Sequence, residues 1–176
     1  MHDLTAIAGG FALVGLPISI EVHTGGHIND TWFVTTDRKL RYVLQRINAQ
    51  VFADPPGIVG NTARVIAEIE RRAAGLVPPF VVARDGATAV IEDGSTYRML
   101  GFVAGRSLTG LQTAAQAAAA GLAFGSFQRA LLHYDRARHV VPIPHFHELG
   151  WRALHRDDPD QRVDAVVPRG LRQHHG

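Results

Sequence analysis

The sequence predicts an α+β fold in which an antiparallel sheet with one helix is followed by a helical region. Three observations carry this reading. Short β-rich runs crowd the chain before Asn48, a proline-capped amphipathic helix follows them, and an alanine-rich helix opens after Thr113.

From Asp3, the apolar residues Leu4, Ile7, Phe11 and Val14 recur at helical spacing, weakened by Gly9 and Gly10, and predict a short helix within residues 1–14. The runs Ile18 to Val22, Thr31 to Thr35 and Arg41 to Ile47 are separated by Thr24-Gly25-Gly26 and by Thr36-Asp37-Arg38-Lys39, the pattern of an antiparallel meander. Asp54 before Pro55 and Pro56 reads as a helix N-cap, and Ile58, Thr62, Val65, Ile66, Ile69 and Ala73 mark one face up to Gly75. Three more β-runs follow, Phe80 to Ala83, Ala89 to Glu92 and Tyr97 to Val103, with Asp85-Gly86 and Asp93-Gly94 as turns. The expected sheet has five or six strands. Thr113 and Gln116 form a capping box for a helix whose apolar face is Ala120, Phe124, Phe127, Leu131 and Tyr134. The change of pattern near Gly105 to Gly110 divides a lobe at residues 15–104 from a helical region at 105–165, and 166–176 shows no period.

A hydrophobic fraction of 46% against 19% charged residues is that of a soluble globular chain, which excludes a fibrous or disordered class. There is no cysteine, so disulfides, thiolate nucleophiles and cysteine metal sites are excluded. No apolar run approaches the roughly 18–20 residues of a membrane span, and the expectation is a cytoplasmic protein. The formal net charge is only +2, and the arginines are interspersed with acidic residues, which argues against a nucleic-acid partner.

Thr24-Gly25-Gly26-His27-Ile28-Asn29-Asp30-Thr31 joins two strands, and its glycines let backbone N–H groups approach a polyphosphate; a purely conformational turn is the competing reading. The order is more telling: glycine-rich hairpin, third strand Tyr42-Val43-Leu44-Gln45, helix, then a strand ending in Tyr97-Arg98-Met99-Leu100-Gly101-Phe102. It is the order of a protein-kinase-like amino-terminal lobe. The strings Gly26-His27-Ile28-Asn29-Asp30-Thr31, Tyr42-Val43-Leu44-Gln45-Arg46-Ile47-Asn48 with Val51-Phe52, Ala123-Phe124-Gly125-Ser126-Phe127-Gln128 and Pro144-His145-Phe146-His147 resemble segments of the N-acetylhexosamine 1-kinases, of the aminoglycoside-phosphotransferase type. The resemblance implies transfer of the γ-phosphate of ATP, with Mg²⁺, to the anomeric hydroxyl of an N-acetylated hexose. It implies nucleotide contacts at Gly25, Gly26, His27, Asn29 and Gln45, with the backbone from Met99 through Gly101 to Phe102 as the adenine hinge. Nucleotide and an aminosugar are the implied partners.

Two departures from the kinase pattern stand out. Gln45 occupies the position of the phosphate-pairing lysine, while Lys39, the one lysine of the chain, lies outside that strand. Gln45 is expected to donate a neutral hydrogen bond to phosphate. Arg46 competes for that role, but strand alternation turns it to the other face. Glu68 and Glu70 are expected to be solvated helix charges. The second departure is that no His-x-Asp-x-x-x-x-Asn element follows Tyr134, so no catalytic base and no metal ligand is assigned. The expectation is a truncated or frame-shifted kinase fragment, inactive alone, or else a non-catalytic nucleotide- or partner-binding module.

His145, His147 and His155 suggest a metal site, but prolines at 142 and 144 suggest an irregular loop and no spaced carboxylate completes a site; the resemblance implies a packing role for this segment. His174 and His175 look like terminal residues without a partner, and Asp157, Asp158 and Asp160 lack the glycine and distal glutamate of a calcium loop. An uncovered Phe124, Phe127 and Leu131 face is expected to drive self-association.

Overall fold

The computed structural model describes residues 3–154 other than His27, Ser107 and His147, and of Trp151 and Arg152 the backbone alone. The expectations for His27, His147, His155, His174, His175, the aspartates 157, 158 and 160 and the tail 166–176 therefore lie outside the described residues.

Alternating apolar residues build a six-stranded antiparallel sheet. Its strands are β1 (Pro17–His23), β2 (Asp30–Thr36), β3 (Arg41–Arg46), β4 (Phe80–Val81), β5 (Val90–Glu92) and β6 (Ser95–Gly101). Their order is β1-β2-β3-β6-β4, with β5 pairing β6. The first three strands form the expected meander, in the register Thr31 to Gln45, Phe33 to Val43 and Thr35 to Arg41. Entry into β1 depends on Gly15, at φ +90, where a Cβ would collide with Asp37. Asp37 needs that approach, because its carboxylate accepts the Leu16 N–H at 2.9 Å while its own N–H donates to the Leu16 carbonyl.

One face of the sheet is dry. Val34, Tyr42, Leu44, Tyr97 and Met99 are buried there against Ile7, Ala8, Phe11 and Leu13. Ile7 and Ala8 belong to α1 (Leu4–Gly9), which Asp3 caps by accepting the Thr5 and Ala6 N–H groups. The helix is shorter than the apolar spacing predicts. Past Gly10 the chain runs extended, with Ala12 N–H donating to Val82 O and Phe11 bridging Ala83, so Phe11 reaches the core from a strand-like segment.

The second helix, α2 (Pro55–Arg72), starts as expected, with Asp54 accepting the Gly57 N–H at 2.9 Å and proline in the first turn. It ends at Arg72, short of Gly75, whose N–H is taken by the Glu70 carboxylate. Val59, Ile66 and Ile69 are its buried residues. Glu68 lies against Arg71 and Arg72, whose hydrogen bonds hold its carboxyl below the usual range. Glu68 and Glu70 are both half-buried and engaged, Glu68 by the two arginines and Glu70 by the Gly75 N–H, rather than freely solvated.

The capping box of α3 (Ala114–Ala130) forms between Thr113 and Gln116, yet Ala130 is the only residue of that helix that is buried. Phe124 is 72% exposed and Leu122 73%, whereas Leu131 and Tyr134 are half-buried just beyond the helix end. A short α4 spans Leu149–Leu154. No helix among the described residues is long and apolar enough to cross a membrane.

The segment after α3 is tied to α2 by polar contacts. The Asn61 amide donates to Val140 O at 2.8 Å and accepts the Val140 N–H at 3.2 Å, and Arg64 donates to the Asn61 side chain and to Arg138 O. Nearby, the Tyr134 hydroxyl and His139 Nε2 are 2.6 Å apart. Burial, then the charges of Arg64 and Arg136, push the His139 pKa below its ordinary 6.5, and Asp135 opposes them weakly.

Two outcomes follow from this packing. Leu44→Ala empties a fully buried site between α1 and the sheet and should cost about 2–5 kcal/mol in urea unfolding; a loss under about 1 kcal/mol would show that the site collapses freely. Because folding lowers the His139 pKa, the unfolded chain takes up this proton first as pH falls. The His139 contribution is then complete above 6.5 and is lost below it. His139→Asn should flatten the stability profile just below pH 6.5, and a profile parallel to that of the parent chain would contradict this.

Candidate functional site

The face of the sheet opposite α1 has a different chemistry. Along β2, β3 and β6 the register sets Phe33 beside Val43 and Val43 beside Leu100, and sets Thr31 beside Gln45 and Gln45 beside Arg98. An apolar row thus lies next to a polar one. Past β6, Phe102 meets Phe33 edge to face at 5.5 Å, and Phe33 in turn lies 4.8 Å from His23 of β1 with the two rings tilted by 44°. The Arg41 guanidinium stands over both rings, 4.1 Å from Phe102 and 5.0 Å from Phe33.

The polar row is a continuous hydrogen-bonded chain. The Gln45 side-chain oxygen accepts two bonds from Arg98, from Nε at 2.9 Å and from Nη2 at 2.8 Å, and Arg98 Nη1 donates to Thr62 Oγ1 at 2.8 Å. Thr62 donates its own hydroxyl hydrogen to Ile58 O one turn back along α2. In the other direction, Gln45 Nε2 donates to Thr31 Oγ1 at 3.1 Å, and Thr31 leans toward Asn29 O at 3.4 Å. Hairpin, third strand, sixth strand and helix are therefore joined through one glutamine and one arginine.

Arg98 is half-buried, and among the described residues it has no carboxylate partner. Burial alone lowers its pKa from the ordinary value, which still leaves the guanidinium charged. Arg46 behaves differently. It pairs with Asp30 on the neighbouring strand, and that hydrogen bond raises its pKa. Strand alternation thus separates the two arginines: one is neutralised, and one carries its charge on the site face.

The sequence-derived residues fall out as follows. Gly25 and Gly26 lie in the exposed turn between β1 and β2, with His23 and Asn29 crowding the space a Cβ would need. Asn29 holds the hairpin down, because its side-chain oxygen accepts the Asn48 N–H at 3.0 Å while Asn48 Nδ2 donates to Ile28 O. Gln45 sits at the centre of the polar row. Met99 is fully buried on the opposite, dry face. Its backbone and that of Leu100 lie between β3 and β4, Gly101 donates its N–H to Pro79 O, and Phe102 donates its own to Arg41 O. The N–H groups of Gly101 and Phe102 are therefore already used.

Arg98 and Thr62 escaped the sequence-level reading as site residues. The available signal was an arginine between Tyr97 and Met99 in the middle of a strand, which becomes meaningful only once the strand register sets it beside Gln45. Downstream, His133-Tyr134-Asp135 is a His-x-Asp, but Val140 stands where asparagine would be needed, and Asp135 accepts the Ala137 N–H in a local turn. His145 contacts Glu148 at 3.0 Å. No three His, Asp or Glu side chains gather as a metal-binding group among the described residues, and no step is assigned to a metal.

Comparison with known proteins bears on the fold and the family. A solved aminoglycoside phosphotransferase from Alicyclobacillus acidocaldarius subsp. acidocaldarius superposes with a TM-score of 0.55 at 17% identity, over 71% of this chain and 34% of that one. At that identity the likeness is one of fold. The chain spans about a third of that protein's length. The profile of the "Phosphotransferase enzyme family" (APH) matches residues 19–173, and with nearly the whole sequence inside that match, the chain belongs to the phosphotransferase enzyme family.

Proposed function

We propose that residues 15–104 form the nucleotide-binding lobe, and residues 105–165 the start of the helical lobe, of an ATP- and Mg²⁺-dependent phosphotransferase acting on the anomeric hydroxyl of an N-acetylated hexose. The observation that carries this reading is the Thr31–Gln45–Arg98–Thr62 chain, which joins a glycine-rich hairpin, the third strand and the following helix where kinases use a lysine–glutamate pair. The apolar row of Phe33, Val43 and Leu100 suits an adenine ring, with Phe102 closing one end and the backbone after Phe102 at the base's polar edge. Gly25 and Gly26 carry no side chain of their own, and their N–H groups are the ones this reading gives to phosphate oxygens. The aminosugar acceptor rests on the sequence strings alone. ATP as donor implies action in the cytoplasm.

A second reading, a non-catalytic nucleotide- or partner-binding module, is favoured by one observation: the sequence holds no complete His-x-Asp-x-x-x-x-Asn element, with Val140 at the asparagine position after His133-Tyr134-Asp135 and Arg162 at that position after His155-Arg156-Asp157. Phosphoryl transfer depends almost wholly on positioning and charge stabilisation, so a chain without that element binds nucleotide but does not transfer phosphate. The exposed Leu122, Phe124 and Leu132 would then meet a second polypeptide or a second copy.

Calorimetric titration of the 176-residue chain with ATP should give saturable binding, and incubation with ATP, Mg²⁺ and N-acetylglucosamine should give no sugar phosphate. Absence of ATP binding would contradict the lobe assignment. Sugar phosphate formed at a steady rate would contradict inactivity while supporting the kinase reading.

A further inference from the structure

We propose that Arg98 is the cation that pairs with nucleotide phosphate in this chain, replacing the lysine that the third strand lacks. The inference rests on the nucleotide-binding reading and adds to it a residue outside the third strand. Position comes first. Arg98 is the register partner of Gln45, so its guanidinium occupies the row in which a lysine at residue 45 would have ended. Orientation comes second. Gln45 Oε1 takes Nε and Nη2 in a forked contact and Thr62 takes one Nη1 hydrogen, which together hold the guanidinium plane between β3 and α2.

Capacity is the third argument. A guanidinium has five N–H donors, of which the described contacts use three, leaving two for an incoming oxyanion. Charge is the fourth. A half-buried cation whose partners among the described residues are neutral oxygens has lost part of its hydration without gaining a counter-ion there, and it is therefore poised to gain from an anion delivered by a ligand. Arg46, two strands from β1 on the same sheet, shows the contrast, since Asp30 already satisfies it.

Gln45 thereby changes role. Its amide oxygen positions Arg98 and its amide nitrogen fastens the hairpin through Thr31, so its contact with phosphate is indirect. Glutamine suits this position better than glutamate, whose carboxylate would neutralise the guanidinium before a nucleotide arrives.

The test compares the affinities of the full chain for ATP, adenosine and inorganic tripolyphosphate, for the parent, Arg98→Gln and Gln45→Glu. Loss of a charge-assisted contact should lower the ratio of ATP to adenosine affinity by about tenfold or more in Arg98→Gln. Gln45→Glu should lower the same ratio, and because it adds an ion pair it keeps the fold if Arg98→Gln does not. A ratio unchanged in a folded variant would overturn the proposal and leave Arg98 as a cross-link between β3 and α2. If the parent binds tripolyphosphate in an Arg98-dependent way but not adenosine, the cation assignment stands and the nucleotide reading fails. If the parent binds none of the three probes, both fail.

Discussion

The side-chain oxygen of Gln45 is the point on which the architecture of the site turns. It accepts two N–H groups of Arg98, and each partner of that contact reaches a different element, Thr31 of β2 on one side and Thr62 of α2 on the other. Hydrogen bonds to a charged group are worth roughly 1.5–3 kcal/mol, and losing one partner leaves the other half-buried with an unmet donor or acceptor. This contact therefore adds a side-chain tie between the hairpin, the sheet and the helix to the backbone pairing and the Asn29–Asn48 bonds. A lysine–glutamate pair performs that service in kinases with one charge of each sign. Here a neutral amide performs it with a single positive charge, which leaves net charge on the site face.

That arrangement is possible because the sheet has two unlike faces. Strand alternation sends Tyr42, Leu44, Tyr97 and Met99 into a dry core against α1 and Phe11, while Val43, Gln45, Arg98 and Leu100 occupy the other side. The buried face supplies the stability that lets the second face carry polar and aromatic groups with incomplete packing. Phe33 and Phe102 lie half-buried under the Arg41 guanidinium, a surface that a flat aromatic ligand would complete.

Local chemistry made much of the fold legible. The three meander strands, the Asp54 cap with its two prolines and the Thr113 to Gln116 capping box each depend on residues within a few positions of one another, and each forms where the pattern puts it. The first helix ends early because Phe11 gains more from bridging Ala83 and filling the core than from a further turn through Gly10. Helical spacing also groups Phe124 and Phe127 on one face, but among the described residues nothing covers Phe124. The site was half legible. Gln45 and the glycine turn follow from motif order, whereas Arg98 acquires meaning only from pairing across 53 positions of sequence. Likewise, the engagement of the Gly101 and Phe102 N–H groups depends on Pro79 and Arg41, which no local pattern reveals.

The central claim is that the face carrying Gln45 and Arg98 is the one that receives a nucleotide. Backbone amide NMR of the labelled chain during titration with ATP tests it most directly. The account predicts shifts that saturate together at Gly25, Gly26, Thr31, Phe33, Val43, Gln45, Arg98 and Val103, with little change along α1. Shifts confined to α3 or to the α1 face, or none at saturating ATP, would contradict it.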